Sequence, residues 1–249
     1  MYLSRLILNP GNKAVRRDLA DCQELHRTVL GGYPDLNEED ADAREKFGVL
    51  HRLDIHPRSG AIVLLVQSLV NPDWSSLPAG YLLIDTDLEN PACKQISEQY
   101  GGIKSGDVFT FRLRANPTKK VGTSRVEEIK LGKPKSNGKR VPLKNEAEQI
   151  SWLKRKGDHG GFELIAAKAI HELADVLVKE ESPQKGAYLK GNQCSNGTVN
   201  NRLSFVSVLY EGKLIVTDAC KFQDTLKAGI GSGKAYGFGL LSIASARGD

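Results

Sequence analysis

Five histidines, at positions 26, 51, 56, 159 and 171, are the side chains best able to take or give a proton near neutral pH. His171-Glu172-Leu173-Ala174-Asp175 falls one residue short of a zinc-protease motif, because Asp175 stands where the second histidine would be. His51 and His56 lie on a predicted strand and near its turn, His159 lies in a Gly-rich stretch, and none has an evident partner. His26 differs. It sits in a predicted helix beside an apolar stripe, with Arg16, Arg17 and Arg27 on the same helix and Gly31-Gly32 just past it. Spacing alone reads it as well as a packed core histidine as it does an acid–base group.

The run Gly229-Ile230-Gly231-Ser232-Gly233-Lys234-Ala235-Tyr236-Gly237-Phe238-Gly239 is the other segment with chemical promise. A nucleotide-binding P-loop needs glycine at 228 and serine or threonine at 235, where Ala228 and Ala235 stand. It would also precede a helix, whereas this run follows one. Lys234 breaks the dinucleotide-binding spacing as well, so ATP and dinucleotide sites are excluded. Two readings remain: a loop whose backbone closely approaches another chain segment and offers Lys234 to a phosphate, or a tight turn before an edge strand.

The charge distribution narrows the partner. The chain of 249 residues has a net charge of +5, yet residues 112–144 alone hold eleven basic side chains against Glu127 and Glu128. The remainder is therefore mildly acidic, and one basic region on such a background is the footprint of a nucleic-acid binder. Arg112, Arg114, Lys119, Lys120, Lys139 and Arg140 are the predicted nucleic-acid contacts in this region, a solvated basic loop being the other reading. Cys22, Cys93, Cys194 and Cys220 are widely separated, which argues against a zinc site or a disulfide framework. The longest apolar run, Ala61 to Val66, is too short to span a bilayer, and the opening residues lack a secretory pattern. The cytoplasm is the expected compartment, with no membrane, metal or cofactor.

These groups must be held by regular elements. Residues 2–8 read as a strand and 14–30 as one helix, followed by an acidic connection. Residues 47–55 and 61–70 read as a hairpin, a helix starts near Asn71-Pro72-Asp73, and residues 81–85 read as a short strand. The order recurs: strand 107–115, helix 145–156, strands 162–169 and 175–179, a loop over 180–200, a hairpin 203–217 turning at Glu211-Gly212, a last helix marked by Phe222, Leu226 and Ile230, and strand 239–244. Along 107–115, Phe109, Phe111 and Leu113 share one face and Arg112 and Arg114 the other, so the arginines are expected on an open sheet face. Two βαββαβ units imply an α+β fold of tandem ferredoxin-like domains, divided into residues 1–95 and 104–249.

Several ordered blocks together resemble one family, the CasE family of CRISPR precursor-RNA endoribonucleases in type I-E surveillance complexes. They are residues 1–10, Arg17-Asp18-Leu19 with Leu25-His26-Arg27, Phe111-Arg112-Leu113-Arg114-Ala115-Asn116-Pro117, Val141-Pro142-Leu143 with residues 146–153, and the tail from Gly229 through Ala244. The resemblance implies a tandem ferredoxin-like fold and a repeat hairpin as substrate, cut at the 3′ base of its stem. It further implies metal-free cleavage to a 2′,3′-cyclic phosphate and a 5′-hydroxyl, and a product kept bound within the Cascade assembly beside its backbone subunit. The alternatives are a hairpin-capping subunit that does not cut and a general RNA-recognition protein outside any CRISPR system.

By the same resemblance, His26 is the catalytic histidine; from their positions, Arg27 is expected beside it in catalysis and Arg17 and Lys234 among the RNA contacts. Relatives place a tyrosine three residues before this histidine and a lysine five after it. Here Gln23 and Gly31 stand there, which leaves Arg17, Arg27, Tyr33 and Lys234 as candidate helpers.

Overall fold

A computed structural model gives the structure of residues 1–35, 43–84, 87–121, 139–167, 170–191 and 198–246. The first sheet is antiparallel and contains β1 (Tyr2–Leu8), β2 (Leu50–Ile55), β3 (Ile62–Ser68) and β4 (Ala92–Gln95) in the order β2-β3-β1-β4. This is the strand order of a ferredoxin-like sandwich. The face covered by α1 (Lys13–Ala20) and α2 (Cys22–Leu30) is apolar: Leu6, Leu8, Leu64 and Val66 pack against Val15, Leu25 and Val29. A short helix, α3 (Ala43–Lys46), leads into β2.

The expected single helix over 14–30 is two helices. Asp21 leaves the helical region (φ −136°, ψ 111°), and its Oδ1 accepts from the Gln23 amide at 2.8 Å as the cap of α2. Its Oδ2 accepts from the amide of Ala187, 3.2 Å away in a distant strand, so the break also tethers α2 to the second half of the chain. The helix expected after Asn71 is reduced to one 3₁₀ turn, Trp74–Ser76, whose Trp74 plugs the core against Gly32. Residues 81–83 follow the end of β1 through single contacts, Asn9 amide to Tyr81 carbonyl and Leu83 amide to Ile7 carbonyl; the fourth strand of the sheet is Ala92–Gln95 instead.

After α4 (Ser97–Gly101) the pattern repeats with β5 (Val108–Ala115), a hairpin of β6 (Thr118–Val121) and β7 (Lys139–Pro142), and α5 (Glu146–Gly160). Next come β8 (Phe162–Leu164), β9 (Ala166–Ala167), β10 (Ile170–Ala174), β11 (Val176–Gly191), β12 (Thr198–Val216), α6 (Ala219–Ala228) and β13 (Leu241–Ser245). The second sheet runs β11-β12-β5-β13, with β8 also paired to β12. Counting β8 and β11 as one interrupted strand, the order matches the first sheet, so the fold is α+β with tandem ferredoxin-like units. Trp152 and Leu153 of α5 and Phe222 and Leu226 of α6 close a second core over Phe111, Leu113, Val208 and Leu214.

Three further expectations are corrected. Glu211-Gly212 is no turn, because β12 runs unbroken from 198 to 216. Gly212 is needed for close approach: a Cβ there would lie 2.4 Å from the Asp175 carbonyl. The loop expected over 180–200 is for the most part the long β11–β12 ladder, from Val176 opposite Gly212 to Gly191 opposite Thr198. Helix α5 extends to Gly160 and takes in His159; it ends at Gly161 (φ 76°), where a Cβ would meet the Asp218 carbonyl at 2.4 Å.

The face of β5 expected to be open is in part the seam between the two sheets. Arg52 of β2 is almost fully buried and donates to the Arg112 and Leu240 carbonyls at 3.2 and 3.3 Å and to Ser242 Oγ at 2.9 Å. Gln67 of β3 donates to the Leu226 carbonyl at 2.7 Å and accepts from the Tyr100 hydroxyl at 3.0 Å. Buried polar groups that find partners across a seam fix the relative placement of the sheets without leaving unsatisfied donors.

Candidate active site and nucleic-acid interface

Some of the candidate site residues converge around α2 and the Gly-rich run. Glycines 229, 231, 233, 237 and 239 all take positive φ, which lets the run fold back on itself and bring a 3₁₀ turn, Lys234–Tyr236, against α2. His26 is half-buried on α2, and its ring meets that of Tyr236 edge-on, 5.9 Å between centroids at 62°. Tyr236 stacks on Phe205 of β12 at 4.9 Å and 27°, and Phe205 leans on the buried Phe238 at 5.8 Å.

Beneath this cluster lies a second imidazole. His51 of β2 is fully buried; desolvation first, then the charges of His26 and Arg114, push its pKa down to about 3, so it is neutral at physiological pH. A Cβ on Gly237 would lie 3.6 Å from its Nε2. His51 thus contributes a neutral floor to the site.

A line of positive charge runs toward His26. Lys120 and Arg140 are opposite each other in the β6–β7 hairpin, and both are exposed. With Thr118, Trp152, Lys156, Gly231 and Ser232 they line a polar cavity of about 270 Å³. Lys156 Nζ lies 5.8 Å over the Trp152 ring, and the buried Ser232 hydroxyl in the cavity wall has no hydrogen-bond partner among the described residues. Lys234 continues the line: half-buried, its amine is pushed below the usual lysine range by desolvation and by the nearby cations Arg44 and Lys156. Lys119 holds Glu148 at 2.8 Å beside the same hairpin. The side chain of Lys139 and residues 122–138 of the basic stretch lie outside the described residues.

Other predicted residues are placed differently. Arg114 is nine-tenths buried, its guanidinium clamping both oxygens of Glu181 at 2.6 and 2.9 Å and donating to the Leu53 carbonyl. Arg112 pairs with Glu211 at 2.5 Å and lines a separate cavity of about 550 Å³ with Arg52 and Ser242. Arg17 holds the buried Asp18 at 2.8 Å and Glu24 at 3.3 Å, and Arg27 pairs with the same Glu24. Tyr33 is interior, stacked on Phe47 at 5.6 Å, with burial raising its phenol to about 12. That burial removes it from any role as helper. His56 is engaged by Ser59 in the β2–β3 turn, His159 by the Arg155 carbonyl, and the side chain of His171 lies outside the described residues. No metal-binding group of three or more His, Cys, Asp or Glu occurs among the described residues, and no described helix is long and apolar enough to cross a membrane.

Sequence reasoning missed Lys156, Ser232, Phe205 and Tyr236. The basic run Lys154-Arg155-Lys156 on a helix and the aromatic inside the Gly-rich run were the available signals.

The arrangement is that of an RNA-handling ferredoxin-like protein, and comparison with known proteins agrees. The family profile described as CRISPR associated protein matches residues 1–245. The CRISPR-associated endoribonuclease Cse3 of Thermus thermophilus is 35% identical over 98% of this chain and 100% of its own. The Cascade subunit CasE of Escherichia coli is 33% identical over 98% and 99%. Among solved structures, Cse3 bound to a 19-nucleotide RNA superposes with a TM-score of 0.73 at 33% identity, covering 98% of this chain and 100% of the other. Cas6e from E. coli superposes with a TM-score of 0.61 at 27% identity, over 99% and 100%. The chain belongs to the CRISPR-associated protein family, as a CasE-type (Cse3, Cas6e) endoribonuclease.

Proposed function

We propose that this protein binds the repeat hairpin of a CRISPR transcript, cuts it once at the 3′ base of the stem, and stays on the guide RNA as a subunit of a type I-E surveillance complex. The observation that carries the reading is that the cationic cavity of Lys120, Arg140 and Lys156 adjoins Lys234, whose 3₁₀ turn also sets Tyr236 against the half-buried ring of His26. A-form stems offer proteins phosphates and shape more than base edges, and a cationic strip beside one imidazole suits that substrate. Relatives named as an endoribonuclease and as a Cascade subunit support both halves of the proposal.

Chemically, the 2′-oxygen of the nucleotide before the scissile bond attacks its own phosphorus, and the bond to the 5′-oxygen of the next nucleotide breaks. The 2′-hydroxyl proton leaves, and one proton reaches the departing 5′-oxygen. His26 is the group assigned to this proton transfer, with lysine and arginine charge stabilising the pentacoordinate phosphate. The products are a 2′,3′-cyclic phosphate and a 5′-hydroxyl, and the step requires no metal. Lys119, Lys120, Lys139, Arg140, Lys156 and Lys234 are assigned to the RNA backbone and Arg27 to the edge of the site. Arg17, Arg112 and Arg114, engaged with carboxylates, are assigned to holding its frame. Residues 1–95 and 104–249 form the two domains, and the cytoplasm is the place of action.

The test is incubation of a labelled repeat hairpin with the protein in EDTA. A single cut leaving a cyclic phosphate supports the proposal; intact RNA in a stable complex makes the protein a hairpin cap without nuclease activity.

A further inference from the structure

The histidine assigned to proton transfer stands on a helix of only nine residues and is half-buried. Two side-chain torsions separate its imidazole from the backbone, so something besides α2 must set the direction of its ring nitrogens. The element placed to do so is the 3₁₀ turn Lys234–Tyr236. Its aromatic ring meets His26 edge-on at 5.9 Å. We propose that Tyr236, backed by Phe205, is the positioning residue that fixes the imidazole of His26 for cleavage; the cleavage part of this inference rests on the function proposed above.

Tyr236 is itself held on several sides. Its amide donates to the Gly233 carbonyl at 2.8 Å, and the flanking Gly233 and Gly237 both sit in the left-handed region, at φ 79° and 85°. That backbone path is closed to most residues, which confines the turn to one course. Behind the ring, Phe205 stacks at 4.9 Å and is seated on Phe238, which has no exposed surface. A row of rings therefore runs from the interior of the second half of the chain to the histidine on the first. Gly237 also leaves room for His51, which lies 3.6 Å from where a Cβ would be. His26 thus meets a fixed aromatic wall near the neutral imidazole of His51, which adds no charge to the site.

Placement of this kind matters steeply in proton transfer, where a misplacement of about 1 Å costs on the order of 100-fold in rate. The contacts described run through ring faces and edges, which phenylalanine reproduces and leucine does not. That separates a positioning ring from a chemically active phenol.

The experiment combines histidine NMR with single-turnover cleavage of the repeat hairpin by the full chain. The His26 ring-proton signal is assigned by its disappearance in His26→Gln. The expected result is a ring-current displacement of that signal that persists in Tyr236→Phe and collapses in Tyr236→Leu. Cleavage by Tyr236→Phe should stay within about threefold of the parent, while Tyr236→Leu should fall by roughly 30- to 100-fold with hairpin affinity nearly unchanged. Phe205→Leu should move both readouts the same way by less, which covers the case in which Tyr236→Leu fails to fold. An unmoved His26 signal and rate in Tyr236→Leu overturns the proposal. So does a loss in Tyr236→Phe as large as in Tyr236→Leu, which would give the role to the hydroxyl. Should the parent leave the hairpin intact, the cleavage reading fails, while the NMR displacement still decides whether Tyr236 fixes the ring.

Discussion

The guanidinium of Arg114 on β5 clamps both carboxylate oxygens of Glu181 on β11, spanning the strand β12 that lies between them. Ser207 of that middle strand donates its hydroxyl to the same carboxylate at 2.8 Å. Burial pushes the pKa of Glu181 up, but the bonds and charge of Arg114 and Ser207 outweigh it and leave the group below the usual carboxylate range. Breaking a buried pair strands the surviving charge. Arg114→Ala should therefore cost about 3 kcal/mol of stability, measured by denaturant unfolding. Arg112→Ala, whose side chain is 47% exposed, should cost under about 1 kcal/mol. Equal costs would contradict a buried Arg114–Glu181 clamp.

The pH dependence of stability follows from His51. Its folded pKa of about 3 lies below that of an unfolded histidine, so the unfolded chain binds more protons in the interval between the two. The contribution is complete above about pH 6.5 and is lost as pH falls toward 3, with a slope of at most about 1.4 kcal/mol per pH unit. The depressed Glu181 acts in the same direction at lower pH, its share present above the ordinary carboxylate pKa and lost as pH falls through the folded value. His51→Phe should flatten the upper part of this decline in a urea series from pH 7 to 4. An unchanged slope would contradict a buried neutral imidazole.

Charge reversal at Lys120 or Arg140 should weaken hairpin binding and lower the slope of log affinity against log salt by about one for each phosphate no longer neutralised. Lys156→Glu, on the other wall of the same cavity, should behave likewise. Lys227→Glu on α6, where Lys227 pairs with Asp224 at 3.6 Å, is the control and should change neither. Filter binding at several salt concentrations reads all four.

Gly31 closes α2 with ordinary right-handed angles (φ −61°, ψ −14°), and a Cβ there meets nothing nearer than the Thr28 carbonyl at 3.4 Å. No glycine is required at this position. Gly31→Lys should fold with unchanged or slightly higher stability, because the unfolded chain loses freedom. It should also raise the single-turnover cleavage rate by adding a cation one turn beyond His26. A destabilised variant would contradict the room found at position 31, and a stable one with no gain in rate would show that the site does not need the charge.

Periodicity made much of this architecture legible. The alternation along β5 and the apolar stripes of α1, α2 and α6 follow directly from residue spacing. The break at Asp21 was also readable, since an aspartate followed three residues later by Glu24 is a helix-start pattern. The unbroken β12 was not. Gly212 looks like a turn residue in sequence, and its actual cause, the backbone of Asp175 pressing against it, exists only after folding. Arg114 misled for a related reason: alternation assigns a side chain to a face but does not say that another sheet covers that face. His26 stood out by its helix and by resemblance, whereas Tyr236 meets it, with Phe205 behind, only when three remote segments converge.

Single-turnover cleavage of a repeat hairpin in EDTA by His26→Ala, with binding measured on the same samples, tests the central claim most directly. Removing the group assigned to proton transfer while leaving the cationic strip intact should preserve affinity and slow cleavage by about 100-fold or more. Cleavage at the parental rate, at the same bond, would contradict the account.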